Sequence, residues 1–213
     1  MKIIAHRGND GIHKENTMEA ILNSLALTYI DGVEFDIRLT KDFHFVISHD
    51  PFYENYFIRR TKVKTLQKKG LNTLEEVLEK IDNQKIILIE IKEETKKYKI
   101  LCAKLSRLLK KYPLNFYIFS FNYDLMNYFQ KKYPDIKTGL LIGIKMNLDK
   151  INNSFDFNAL NYRHLKKATN KETFIWTVDK KDIFEQIKPK QNIITDKPEY
   201  IYQLKTKVAA RQS

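Results

Sequence analysis

The run Gly32-Val33-Glu34-Phe35-Asp36-Ile37-Arg38-Leu39 sets two carboxylates two residues apart inside an apolar, β-prone segment. Side chains alternate faces along a strand, so Glu34 and Asp36 point one way and Val33, Phe35 and Ile37 the other. Like charges side by side on a core strand repel and are costly to desolvate, which a purely structural strand avoids. Two readings meet that constraint. In one, the oxygens hold a hard cation such as Mg2+ or Ca2+. In the other, the strand lies half-exposed at a sheet edge with its acidic face solvated. A second charged pair, Glu90 and Lys92, closes the run Ile86-Ile87-Leu88-Ile89-Glu90-Ile91-Lys92 at the same spacing. Histidines stand in two further motifs, His6-Arg7-Gly8 and Ser48-His49-Asp50-Pro51, each following an apolar segment. Three carboxylates with water make a hard-metal site, whereas zinc more often recruits histidine. Arg7 can grip a phosphate through two donors and Lys92 as a point charge. His6 and His49 can supply an acid and a base on opposite sides of a phosphorus atom. The set suits metal-assisted hydrolysis of a phosphodiester.

These residues act together only if the fold gathers them. Ile3-Ile4-Ala5 reads as a short buried strand that ends at His6. Asn16 or Thr17 caps a helix with Met18, Ile21, Leu22 and Leu25 on one face. About a dozen residues separate Asp36 from His49, too few for a helical crossover. Thr40-Lys41-Asp42 supplies a turn instead, and the resulting hairpin folds His49 back beside Glu34 and Asp36. Asn72-Thr73-Leu74-Glu75-Glu76 is a capping-box start for a helix striped by Leu74, Val77, Leu78 and Ile81. Ile86-Ile87-Leu88-Ile89 is the continuous apolar run of a parallel strand covered on both faces. Strands over 116–119, 138–142, 158–160, 173–178 and 191–196 then alternate mostly with helices, the last beginning at Pro198. With the hairpin set aside there are eight strands, a pattern that predicts a compact α/β fold, the (β/α)8 barrel. A doubly wound open sheet is the alternative, but no Gly-rich phosphate fingerprint follows the first strand. His6-Arg7, Glu34/Asp36, Glu90/Lys92, Ser120, Trp176-Thr177 and Thr195-Asp196 all fall at C-terminal strand ends, where barrels build active sites.

The 213-residue chain is long enough for one large core and carries no low-complexity linker, so residues 1–207 read as one domain and 208–213 as a disordered tail. Its 43% apolar content is that of a soluble protein, and no run approaches the length of a bilayer span. The N-terminus enters a strand directly, without the apolar segment of a signal peptide. A lone cysteine, Cys102, rules out an intramolecular disulfide and fits the cytoplasm; its neighbours Leu101, Leu105 and Leu109 point to packing rather than reactivity. The formal net charge of +12 attracts anions. The lysines are interleaved with acids, as in Lys92-Glu93-Glu94-Thr95-Lys96-Lys97, and no nucleic-acid motif accompanies them, so nucleic acid is not an expected partner.

In order and spacing, His6-Arg7-Gly8, Glu15-Asn16-Thr17, Gly32-x-Glu34-x-Asp36, His49-Asp50-Pro51, Thr73-Leu74-Glu75-Glu76, Glu90-Ile91-Lys92, Ser120-Phe121, Trp176-Thr177-Val178 and Thr195-Asp196-x-Pro198 resemble the glycerophosphodiester phosphodiesterases. The likeness runs over residues 2–202; each motif is short, and the ordered set is specific. It implies a TIM barrel and metal-dependent hydrolysis of glycerophosphodiesters to glycerol 3-phosphate and an alcohol. On the family's pattern His6 and His49 are the acid/base pair, and Glu34, Asp36 and Glu90 bind one Mg2+ or Ca2+. Arg7 and Lys92 would contact phosphate, and Trp176 would line the site. Two departures stand out. Lys14 precedes Glu15 where the family commonly has proline, and the Asp50-to-Asn72 connection is shorter than the substrate-covering insertion of many bacterial members. The second leaves substrate choice more open than the reaction. Lysophospholipase D and sphingomyelinase D-like enzymes share this catalytic pattern, so a lysophospholipid is the alternative substrate. A catalytically silent binder of phosphorylated ligands is the alternative to an enzyme, but it predicts loss of a histidine or metal carboxylate, and all five are present.

In the short connection, Phe52, Tyr53, Tyr56 and Phe57 stand beside the basic run Arg59-Arg60-Thr61-Lys62. They suit a substrate with an anionic head and an apolar body, or peripheral contact with an anionic membrane; packing onto the barrel top is the plainer reading. Trp176 serves equally as core filler or ligand contact. Glu15 and Asn16 cap and brace the first loop. Ser120 has no paired base nearby in sequence and is not an expected nucleophile. His13, His44 and His164 belong to no motif and read as surface residues. Asp196 orients the final loop or supports a metal ligand.

Overall fold

In the computed structural model, which describes residues 1–92, 98–144, 155–167 and 171–210, the β-branched runs pair into one closed sheet. In chain order the strands are β1 (Ile3–Ala5), β2 (Gly32–Leu39), β3 (Phe45–Ile47), β4 (Phe52–Tyr53), β5 (Tyr56–Phe57), β6 (Ile86–Ile91), β7 (Asn115–Ser120), β8 (Lys137–Ile142), β9 (Phe157–Asn161), β10 (Glu172–Trp176) and β11 (Asn192–Thr195). The helices are α1 (Met18–Ala26), α2 (Val63–Gln67), α3 (Leu74–Leu78), α4 (Tyr98–Leu109), α5 (Tyr123–Lys132), α6 (Lys181–Phe184) and α7 (Pro198–Ala210). Eight parallel strands follow one another around a barrel as β1-β2-β6-β7-β8-β9-β10-β11, and β11 pairs back onto β1. The predicted (β/α)8 barrel is present.

The expected hairpin follows the second barrel strand. β3 runs antiparallel to the outer end of β2, with Ile47 opposite Ile37 and Phe45 opposite Leu39. The connection from Asp50 to Asn72 makes a second small hairpin, β4–β5, then α2, over a core of its own built from Val46, Ile58, Val63, Leu66 and Leu71. Between β9 and β10 the chain is too short for a full crossover helix, and Tyr162–Lys167 form 3-10 turns instead. Helix α7 carries on through Val208, Ala209 and Ala210, past the boundary set at residue 207, where the two alanines favour its last turn; residues 211–213 lie outside the described residues.

Strand alternation sorts the core into two layers. Val33, Phe35, Ile37, Ile87 and Ile89 face outward, into the layer between sheet and helices. Ile4, Ile86, Leu88, Tyr117, Phe119, Phe157 and Phe174 fill the barrel interior. Gly32 begins the inward series of β2, where an added Cβ would lie 2.4 Å from the carbonyl oxygen of Ile86; only glycine lets the strands close this tightly beneath Glu34. Cys102 is buried in the outer layer, and burial pushes its thiol pKa up to about 12, so it is a packing residue. Among the described residues no helix is long and apolar enough to cross a membrane.

Candidate active site

The same alternation carries Glu34 and Asp36 inward on β2, and Glu90 inward on β6 after Ile86 and Leu88. Register places Asp36 directly opposite Glu90 and Glu34 opposite Leu88, one layer deeper. The carboxylates are 1%, 1% and 6% exposed for Glu34, Asp36 and Glu90, which excludes a solvated edge strand. One oxygen from each lies within 4.8 Å of the others. A cation with oxygen ligands at about 2.0–2.6 Å spans such a spacing. Burial, with Asp36 alongside, raises the carboxyl pKa of both Glu34 and Glu90.

Two cations answer the three carboxylates incompletely. Lys92 Nζ lies 3.2 Å from Asp36 Oδ1 and 2.7 Å from Glu90 Oε1, so one ammonium serves two carboxylates. Arg7 donates through Nη1 to Glu15 at 2.6 Å, while its Nε stands 3.6 Å from Asp36 Oδ2, buried and without a hydrogen-bond partner. Buried polar atoms left in this state are rare in a purely structural cluster. An additional ligand in the acidic cluster, of a kind that binds carboxylate oxygen, fits the residues present.

The loop after β1 is shaped for this contact. Arg7 is left-handed (φ 53°), and its backbone N–H donates to Glu34 Oε2 at 2.9 Å. Gly8 is also left-handed (φ 66°), and a Cβ there would press on the Ile21 backbone at 2.9 Å, so the turn after His6 requires glycine. Thr17 caps α1 by accepting from the Ala20 N–H. Asn16 instead holds Asp36 from both sides. Its Nδ2 donates to Asp36 Oδ2 at 2.8 Å, and its Oδ1 accepts from the Asp36 N–H at 3.1 Å. It braces the acidic strand β2 rather than a helix end.

Both motif histidines are steered by carboxylates. His6 Nδ1 donates to Asp196 Oδ1 at 2.6 Å, leaving Nε2 3.8 Å from Glu34 Oε2. His49 Nδ1 donates to Asp50 Oδ1 at 2.9 Å. A carboxylate can only accept, so each contact places a proton on Nδ1 and turns Nε2 to the other side. Burial alone would lower the His6 pKa, but the Asp196 hydrogen bond and the charges of Glu34 and Asp196 raise it to about 9. Asp196 is itself braced, its N–H donating to Asp179 Oδ1 at 2.8 Å.

His6, Arg7, Glu34, His49, Glu90, Lys92 and Trp176 line one cleft of about 250 Å³, and Asp36 adjoins it through its cluster with Glu34 and Glu90. All of the sequence-derived candidates therefore meet at the C-terminal mouth of the barrel. Trp176 is half-buried and donates Nε1–H to the Ala159 carbonyl at 3.1 Å. Ser120 is buried, its hydroxyl spent on the Ile91 carbonyl at 2.7 Å, which fits a bracing residue and not a nucleophile. His44 is exposed, whereas His13 and His164 are half-buried, held by Asp10 and by the Gly143 carbonyl. Arg38 went unmarked in the sequence. Its Nε and Nη2 donate to the His49 carbonyl at 2.9 and 2.6 Å, and its Nη1 to the Lys92 carbonyl at 2.9 Å.

The chain is 31% identical to a glycerophosphodiester phosphodiesterase of Caldanaerobacter subterraneus subsp. tengcongensis, over 95% of this chain and 96% of that one. It belongs to the glycerophosphodiester phosphodiesterase family. The model of the glycerophosphoryl diester phosphodiesterase family matches residues 6–75, the span that contains His6, His49 and the Glu34/Asp36 pair. Among solved structures, the family's member from Thermotoga maritima superposes with a TM-score of 0.80 at 26% identity, covering 95% of this chain and 97% of that one. A phosphodiesterase of Oleispira antarctica, solved with its product sn-glycerol-3-phosphate, superposes with a TM-score of 0.83 at 20% identity over 97% of each chain. At that identity the second likeness concerns the fold. The chain is thus a phosphoric diester hydrolase of this family, with a buried acidic triad able to bind a metal at its mouth.

Proposed function

We propose that the protein hydrolyses small glycerophosphodiesters to glycerol 3-phosphate and an alcohol, with His6 and His49 as the acid/base pair. The observation that carries this reading is the pairing of two carboxylate-steered histidines in one cleft with a buried triad of carboxylates close enough to share a cation. Glu34, Asp36 and Glu90 would hold one hard cation, Mg2+ or Ca2+, whose contribution when bound is to polarise a phosphoryl oxygen. Arg7 and Lys92 lie at the cleft wall and are suited to orient the anionic phosphate. His6, whose surroundings favour the protonated ring, is suited to give a proton to the departing oxygen. His49, with Nδ1 committed to Asp50, offers Nε2 to take the proton of the attacking oxygen. Trp176 would line the substrate side of the cleft.

Release of glycerol 3-phosphate from glycerophosphocholine tests the reading directly. Activity should vanish in excess chelator and return with Mg2+ or Ca2+. Full turnover under chelation would remove the metal from the mechanism, and no turnover of any glycerophosphodiester would remove the activity.

A further inference from the structure

Three neighbouring strands deliver their C-terminal ends in series beside the cleft. Register pairs Ala5 of β1 with Thr195 of β11, so His6 and Asp196, one residue further on, meet across the two ends. On its other side β11 pairs with β10. Beyond Trp176 the chain stays on β11, the Val178 N–H donating to the Ile194 carbonyl at 3.0 Å. Asp179 is thereby set against the corner where β11 passes into α7. A single oxygen, Asp179 Oδ1, accepts there from the Thr195 hydroxyl and from the Asp196 N–H, both at 2.8 Å. The Thr195 hydroxyl oxygen in turn accepts from the Lys197 N–H at 2.9 Å, so residues 195–197 are all pinned through one carboxylate.

Packing does not hold the Asp196 side chain. It is 40% exposed, and among the described residues its carboxylate has one hydrogen-bond partner, His6. The direction from which that carboxylate meets the imidazole is therefore set by the backbone of residue 196. Asp179 is what holds that backbone at its N–H, through a charge-assisted bond stronger than a neutral one. Geometry of this kind matters to rate, since a misplacement of about 1 Å can cost on the order of 10²-fold.

We propose that Asp179 is a positioning residue for proton transfer, acting on His6 through Asp196. Its effect on rate rests on the phosphodiesterase reading above; its effect on the His6 contact rests on the fold alone. Asp179 supplies an acceptor at a fixed place and not a charge. The amide oxygen of an asparagine would serve the same two donors, and the methyl group of an alanine would serve neither.

Proton NMR of the intact metal-free protein at fixed pH reads the contact without catalysis. The His6 Nδ1 proton, held in a 2.6 Å contact with Asp196, should resonate at low field and be identified by its loss in Asp196→Ala. The signal should persist in Asp179→Asn and disappear or move upfield in Asp179→Ala. With glycerophosphocholine as substrate, Asp179→Asn should keep kcat within about twofold. Asp179→Ala should lower kcat about tenfold with KM nearly constant. In an Asp196→Ala background, the added Asp179→Ala change should cost kcat almost nothing while still lowering the melting temperature, which separates positioning from stability. Should Asp179→Ala fail to fold, Asp179→Glu takes its place, because it keeps the charge and displaces the oxygen by one methylene. An unchanged signal and kcat in these variants overturn the proposal. Equal losses in the Asn and Ala forms overturn it too, since charge and not geometry would then be at work. So do losses that multiply in the Asp196→Ala background. If no form of the protein turns over a diester, a signal kept in Asp179→Asn and lost in Asp179→Ala upholds the positioning and removes the reaction reading.

Discussion

At the N-terminal end of the barrel, Glu172 meets Lys2 Nζ at 3.1 Å, the Tyr117 hydroxyl at 3.2 Å and Asn192 Nδ2 at 3.3 Å, and Lys137 donates to that same hydroxyl at 2.6 Å. Each acceptor there has a donor. At the C-terminal end, three buried carboxylates share Lys92 and Arg7, and Arg7 Nε is left without a hydrogen-bond partner. One strand end is an internally closed network, which is how a fold uses polar groups for structure. The other holds like charges together at a cost, which is how a site stays ready for a charged ligand. Mutations at the two ends should therefore separate stability from activity.

The largest separation is expected at the histidines. His6→Ala and His49→Ala should each lower kcat on the order of 10²–10⁴-fold, and the double variant should lose less than the product because both act in one step. Glu172→Gln, at the closed end, should leave kcat alone. Near-normal turnover in His6→Ala would sink the acid/base assignment.

The carboxylates sharpen the contrast. Glu34→Gln, Asp36→Asn or Glu90→Gln should weaken divalent-cation binding in calorimetry while the metal-free protein melts no lower, because a like-charge repulsion has been relieved. Glu172→Gln should do the reverse, with a melting temperature lower by roughly 2–4 °C for a loss of about 1 kcal/mol at this chain length. Matching losses of stability at both ends would mean that the acidic triad is structural.

The pH dependence follows from the same arrangement. The raised pKa values of Glu34 and Glu90, and that of His6 at about 9, mean that the folded metal-free protein keeps protons that the unfolded chain has released. These groups contribute stability in full below their unfolded values, about 4.5 for the carboxyls and 6.5 for the imidazole, and lose it as pH rises through the folded ones. Melting temperature without metal should therefore fall as pH climbs from about 4.5 to 9. Asp196→Asn should flatten the upper part of that fall by removing the partner that holds the His6 proton, and should lower kcat about 10–100-fold. An unchanged profile in that variant would dissociate Asp196 from His6.

What could be read in advance was whatever obeys a period or a local motif. Alternation in Gly32–Leu39 and Ile86–Lys92 placed the acidic side chains on the correct face, and the count from Asp36 to His49 forced the hairpin that returns His49 to the mouth. The Thr73/Glu76 capping box forms as its spacing indicates. Residues that act through distant partners left no such trace. Asp196 meets His6 across 190 positions, and Asn16 turned out to hold Asp36 across 20. The solvated-strand reading of Glu34 and Asp36 fell only once neighbouring strands covered both sides of β2. Tyr56 and Phe57 are adjacent in the chain and face a core and a hollow, a difference set by cross-strand pairing that composition cannot encode.

Arg38 gives the smallest and most specific effect, because it touches neither the acidic triad nor the cleft's histidine rings. One guanidinium holds the carbonyls of His49 and Lys92, residues that arrive at the mouth from β3 and β6. A planar fork can serve two acceptors at fixed angles, and a lysine ammonium cannot reproduce that geometry. Arg38→Lys should therefore keep the charge while letting the His49 loop shift against the Lys92 strand end. Partners of this outer kind cost about tenfold in rate when altered. If Arg38 positions His49 for proton transfer, kcat and kcat/KM should fall together by that factor with KM nearly constant, since the lost interaction belongs to the transition state. A raised KM at unchanged kcat would show that Arg38 acts through Lys92 and substrate binding, and would leave His49 positioned by Asp50 alone.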